Sequence, residues 1–224
     1  MKIRTKLSDR MLPDYTAAEE ITNMVTHIVG GALGILALIL CLYKAIRWGD
    51  GWDLMGALIY GISMIGLYTM SSIYHGLRPG LAKKVLQVLD HCSIYFLIAG
   101  TYSIIALSAL RPLSPTLGWG LFLFQWVMTA IAVTLTAIDL EYFSVFSMVC
   151  YIGMGWCILP FMAQTHTALT PKGFYLLLSG GIAYTIGGVA YGIGSKMRWM
   201  HSVFHVFVVA GSLLHLLAIV LYAV

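Results

Sequence analysis

The chain has 224 residues, 60% of them hydrophobic and only 10% charged, arranged as long apolar runs between short polar ones. That composition places it among integral membrane proteins and excludes a soluble globule. The formal charge of +4 falls in short linkers, where basic residues orient a chain against a membrane, so nucleic-acid binding has no support.

The opening stretch MKIRTKLSDRMLPDYTAAEEITN is charged and has no apolar core followed by a small-residue cleavage site, so no removable leader is expected and the first span stays in the mature protein. About 20 apolar residues cross ~30 Å of hydrocarbon as a helix. Seven stretches qualify: 23–46, 54–75, 90–110, 119–138, 142–162, 173–194 and 201–222. Breakers mark the joints at Gly49 and Gly51, GLRPG (76–80), RPLSP (111–115), DLE (139–141), TPKG (170–173) and SKMRW (195–199). The runs are continuously apolar, without the alternation of a β-barrel. The expected fold is therefore an all-α, seven-transmembrane helix bundle: a cytoplasmic N-terminal segment, 1–22, and one transmembrane domain, 23–222.

Orientation follows from the basic residues. With the N-terminus inside, the cytoplasmic side holds Lys2, Arg4, Lys6, Arg10, Arg78, Lys83, Lys84, Lys196 and Arg198, and the outer side Lys44, Arg47, Arg111 and Lys172. Nine against four predicts a cytoplasmic N-terminus and an outer C-terminus. Gly30 and Gly34 in the first span, and Gly188 and Gly192 in the sixth, are spaced for close helix packing within one bundle. Cys41, Cys92, Cys150 and Cys157 lie inside apolar runs without metal-knuckle or disulfide spacing and read as packing residues.

This orientation brings four titratable groups from distant parts of the chain to one depth. His75 ends the second span, Asp90 begins the third, and His201 and His205 begin the seventh. Such groups are costly in a membrane unless they pair, face water or bind an ion. His201 and His205, at i and i+4, share a helix face, and His75 makes a third imidazole. Three imidazoles with an open fourth position is a catalytic zinc arrangement, and all-nitrogen ligation suits Zn²⁺ better than Mg²⁺ or Ca²⁺. Asp90 has three readings: a fourth ligand, a partner of a ligand, or the base that takes a proton from a metal-bound water. Ser71, one turn before His75, can bond that water or a substrate carbonyl, or bond back to its own helix. Ser202 stands where HExxH peptidases carry their glutamate, which excludes that class.

Glu20, Asn23 and His27 share one face of the first span. They can line the approach to the same cavity, but the structural reading is preferred: Glu20 easing the helix N-terminus, and Asn23 and His27 bonding neighbouring helices. His91 points about 100° from Asp90 and reads as packing. His215, near mid-membrane, and His166, in an outer loop, receive no site role.

The motifs EEITNMVTH (19–27), SSIYH (71–75), LDHCSIYFLIAGTY (89–102) and HSVFH (201–205) resemble the hallmarks of the hemolysin III proteins, the bacterial branch of the progestin and adipoQ receptor family. The resemblance spans nearly the whole chain. It implies a seven-helix bundle with the N-terminus inside and zinc in the cytoplasmic half, held by His75, His201 and His205, with a water at the metal near Asp90 and Ser71. It also implies a bacterial cytoplasmic membrane protein tied to lipid homeostasis, and a distant similarity to alkaline ceramidases. Three functions are therefore expected in order: a zinc-dependent hydrolase of membrane lipid amides or esters with Asp90 and Ser71 catalytic, a non-catalytic membrane-state sensor with structural zinc, and a pore-forming cytolysin.

Overall fold

The computed structural model describes residues 5–194 and 197–224. Lys2, Arg4 and Lys196, three of the cations in the orientation count, lie outside the described residues. Regular structure among the described residues is entirely helical: α1 (Ala17–Trp48), α2 (Gly51–Gly76), α3 (Leu81–Ile104), α4 (Arg111–Leu113), α5 (Pro115–Ile138), α6 (Ser144–Trp156), α7 (Met162–Gly194) and α8 (Met200–Tyr222). Six described helical runs are long and apolar enough to cross a membrane, α3 being counted with α4 and α6 with α7. The protein is an integral membrane protein.

The packing is inverted relative to a soluble bundle. The inward stripe of α1 is Glu19, Asn23, His27, Gly30, Gly34, Ala37, Cys41 and Ala45, all polar or small. Its outward face carries large aliphatics such as Ile21, Ile28 and Ile39, each more than half exposed. Helices in lipid gain nothing by hiding leucine from leucine; they gain by close approach and by pairing polar groups inward. α1 packs on α2 and α8, α2 on α3, α3 on α5, and α7 on α8. α3 is the most enclosed run. It passes through a π-helical segment, Ile105–Leu110, before ending in α4.

Gly30 and Gly34 do the packing expected of them. A Cβ on Gly30 would lie 2.3 Å from Cε1 of Tyr68, and one on Gly34 3.1 Å from the backbone nitrogen of Ile65, both on α2. All four cysteines are free, three of them buried.

Three element boundaries differ from the sequence reading. The third span begins at Leu81, not 90, so Lys83 and Lys84 are helical rather than loop charges. The 142–162 span is interrupted at Cys157, which ends α6, and resumes through a 3₁₀ turn, Leu159–Phe161, that contains Pro160. α7 then begins early, which makes His166 helical. Within α7, Thr170 has φ 59° and ψ 165° directly before Pro171, so two helices meet there. Proline cannot donate to the helical ladder and its ring disfavours α geometry in the residue before it, which locates the break.

Tyr68 also donates to Ser212 Oγ of α8 at 2.7 Å, so displacing its ring disturbs two interfaces. Gly30→Ala should lower stability by about 1–3 kcal/mol, the usual cost of overpacking. Gly31→Ala, whose Cβ would meet Tyr68 at 3.8 Å, should be near neutral. Thermal unfolding of both variants in detergent checks the pair.

Candidate metal centre

The site forms where one end of α2 meets the beginnings of α1, α3 and α8. α1 opens with a capping box: Thr16 Oγ1 accepts from the Glu19 amide at 3.2 Å, and Glu19 Oε2 accepts from the Thr16 amide at 2.9 Å. The second carboxylate oxygen of Glu19 accepts from the backbone amide of Trp199 at 2.7 Å. Trp199 is left-handed, with φ 67°, and α8 has no side-chain cap of its own. Glu19 thus holds the entry to α8 two residues before His201.

His75, His201 and His205 are buried, and one ring nitrogen from each lies within 4.8 Å of the other two. Nε2 of His201 and Nε2 of His205 are 3.0 Å apart. Nδ1 of His205 donates to the Asn23 carbonyl at 3.3 Å. Nδ1 of His75 donates to Glu20 Oε2 at 2.6 Å, while its Nε2 is buried without a hydrogen-bond partner. A buried polar atom left unpaired costs about 1–3 kcal/mol. A cation among these nitrogens removes that cost, so the donor set fits a metal ion. Each imidazole already has an outward tie, or stacks on a neighbour: Tyr15 lies on His201 at 4.9 Å between centroids. Burial pushes the Tyr15 phenol up in pKa, so it stays protonated at neutral pH.

Ser71 and Asp90 line a cavity of about 150 Å³ together with His27, His91 and His205; His75 and His201 do not line it. Ser71 Oγ is buried and makes no bond back to its own helix, so that alternative is not realised; its hydroxyl interacts with the Asp90 carboxylate. Asp90 is half-buried. Leu67, Ile94, Leu97 and Val208 contribute apolar side chains to the wall.

Several residues read as structural by sequence belong to this neighbourhood. Glu20 bridges His75 and Lys83, accepting from Lys83 Nζ at 2.6 Å. Asn23 Oδ1 accepts from Ser202 Oγ at 2.6 Å. His27 stacks on His205 at 3.7 Å, with both ring nitrogens buried and unpaired. His91, expected to face away, lines the cavity and shares a hydrogen bond with Tyr191 Oη at 3.1 Å. His215 also lines it, with Nε2 on the Leu177 carbonyl at 3.0 Å. The i, i+3, i+7 spacing of Glu20, Asn23 and His27 was the signal available, and Glu19 opens the motif at 19–27; Tyr15 and Lys83 had none.

Comparison with known proteins gives the family. The Haemolysin-III related family model matches residues 15–216. The chain belongs to the haemolysin III family. The Hemolysin-3 homolog of Bacillus subtilis (strain 168) is 34% identical over 210 residues, covering 94% of this chain and 97% of its own. Hemolysin-3 of Bacillus cereus is 35% identical over 204 residues, covering 91% of each. The human Monocyte to macrophage differentiation factor is 28% identical over 234 residues, covering 98% of this chain and 90% of its own. The breadth of these matches supports the wider superfamily that the motifs suggested, and haemolysin III membership covers every helix that contributes to the His cluster.

Elemental analysis of detergent-purified protein should find close to one metal ion per chain. The His201→Ala, His205→Ala double variant should have almost none while remaining folded.

Proposed function

We propose that this haemolysin III protein is a zinc-dependent hydrolase of a membrane lipid amide or ester. The observation that carries the reading is the convergence of three imidazole nitrogens beside a cavity lined by Ser71 and Asp90 and otherwise largely by apolar and aromatic side chains. A substrate with a polar scissile bond and a long acyl chain has the same division. Zinc is the metal of choice, because three neutral imidazoles leave a fourth position and suit its borderline-soft character.

When bound, zinc would polarise a carbonyl and lower the pKa of water at neutral pH. His75, His201 and His205 would hold it. Asp90, the carboxylate in the cavity wall, takes a proton from the attacking water and returns it to the leaving group. Ser71, beside Asp90, orients that water or the carbonyl oxygen. Leu67, Ile94, Leu97 and Val208 keep the acyl chain in place and exclude bulk water.

Asp90→Asn should cut release of fatty acid from a total lipid extract by about 10²–10⁴-fold, with zinc content unchanged. Ser71→Ala should cost about tenfold, the scale of one lost hydrogen bond. Equal release by wild type and Asp90→Asn would remove the mechanism. Zinc-loaded protein that releases nothing, yet restores membrane properties to a deletion strain, would favour the sensor.

The reading extends to topology: seven crossings in the bacterial cytoplasmic membrane, the N-terminal segment 1–22 inside and the single domain 23–222 in the bilayer. A straight run of 51 residues, Ser144–Gly194, would be roughly 75 Å long against ~30 Å of hydrocarbon. A reversal at Thr170 resolves the excess. Single cysteines in a cysteine-free background test it: Lys172→Cys should react with an impermeant reagent on intact cells, and Arg78→Cys only after permeabilisation.

A further inference from the structure

We propose that α1 orients the metal ligands, and that Glu20 is a positioning residue which fixes the ring tautomer of His75 so that Nε2 is the atom offered to the ion. The inference rests on the zinc reading above and assigns it a control outside the three histidines.

Glu20 Oε2 accepts from His75 Nδ1 at 2.6 Å, and Glu20 Oε1 accepts from Lys83 Nζ at 2.6 Å. Lys83 is buried and also donates to the Leu77 carbonyl at 2.9 Å, two residues beyond His75. An ionised carboxylate only accepts, so His75 carries its hydrogen on Nδ1 and its lone pair on Nε2, the buried nitrogen without a protein partner. A backbone carbonyl also only accepts, and the Asn23 carbonyl therefore places the His205 hydrogen on Nδ1, leaving Nε2 facing Nε2 of His201. Glu20 and Asn23 are i and i+3 on α1. One helix face thereby sets the tautomers of ligands on two other helices. Lys83 holds Glu20 in this role, because a carboxylate engaged at both oxygens is not released to ligate the ion itself. Carboxylates or carbonyls behind metal-binding histidines raise ligand basicity and lock ring orientation, and losing one typically costs about 10–100-fold in metal affinity.

The competing role for Glu20 is a strut that ties α1 to α3 through Lys83. Zinc affinity, read by competition with a chromophoric chelator, and the visible absorption of the Co²⁺ form distinguish the two. Both are measured on the full chain for Glu20→Gln and Lys83→Met, alone and with His75→Ala. Glu20→Gln should weaken zinc binding by about 10–100-fold and shift the Co²⁺ bands, and Lys83→Met should do less. With His75→Ala present, Glu20→Gln should change neither readout further, because its effect travels through that ring. Wild-type affinity and spectrum in Glu20→Gln would overturn the proposal. So would equal losses in Glu20→Gln and Lys83→Met that persist with His75→Ala. A wild type that binds neither metal would instead refute the zinc reading, a different result from either. If Glu20→Gln does not fold, Glu20→Asp keeps the charge beside Lys83 while drawing the oxygen back from His75, and the same comparison applies.

Discussion

An imidazole buried among membrane helices must satisfy two nitrogens on opposite sides of one ring, and that requirement organises this end of the bundle. Water is scarce there and an unmet nitrogen is costly. For His75 and His205 one side is met by an oxygen of α1, from the Glu20 carboxylate and the Asn23 carbonyl respectively. The opposite nitrogens turn toward one another and toward His201. The cluster is thus built from outside inward: the partners on α1 decide which nitrogen faces the centre, and the centre is where a cation would offset the remaining desolvation.

The same requirement accounts for how the helix ends are secured. Glu19 spends one carboxylate oxygen on the α1 capping box and the other on the Trp199 amide, so a single side chain starts α1 and holds the entry to α8. Lys83, one turn into α3, closes on Glu20 and on the carbonyl just past α2. Four helices are thereby joined by polar contacts at one level, where α-helices necessarily leave unpaired backbone groups. Farther along, Gly30 and Gly34 let α1 approach α2 closely, and the contact is van der Waals. The bundle is locked by hydrogen bonds at one end and by small residues along its length.

Much of this was legible in the chain. Apolar run length located the helices, and placing His75, Asp90, His201 and His205 at one depth anticipated that the three imidazoles meet. Glu20, Asn23 and His27 were visible as a face, but nothing in their spacing told which neighbour that face meets, because the pairing of α1 with both α2 and α8 is a tertiary fact. The early start of α3 was hidden for a related reason. Lys83 and Lys84 look like loop charges until Lys83 is seen to be buried on a carboxylate from another helix. The turn at Cys157–Phe161 escaped notice because its Pro160 sits in an otherwise continuous apolar run; in a membrane helix hydrophobicity does not fall where the backbone bends.

The cavity follows from the same division of labour. Polar groups gather where four helix ends supply them, and much of the remaining wall is aliphatic and aromatic, from Leu67, Ile94, Tyr151, Trp156, Tyr184 and Val208. Ser71 and Asp90 stand in the same wall, the hydroxyl beside the carboxylate, and neither joins the Glu20–Lys83 pair. The Glu19 and Glu20 carboxylates are each engaged at both oxygens in holding a ring or a helix end, whereas the Ser71 hydroxyl beside Asp90, His75 Nε2 and both nitrogens of His27 hold none. Polar groups that no helix end or ring requires, gathered beside three imidazoles, are what the proposed ligand role rests on.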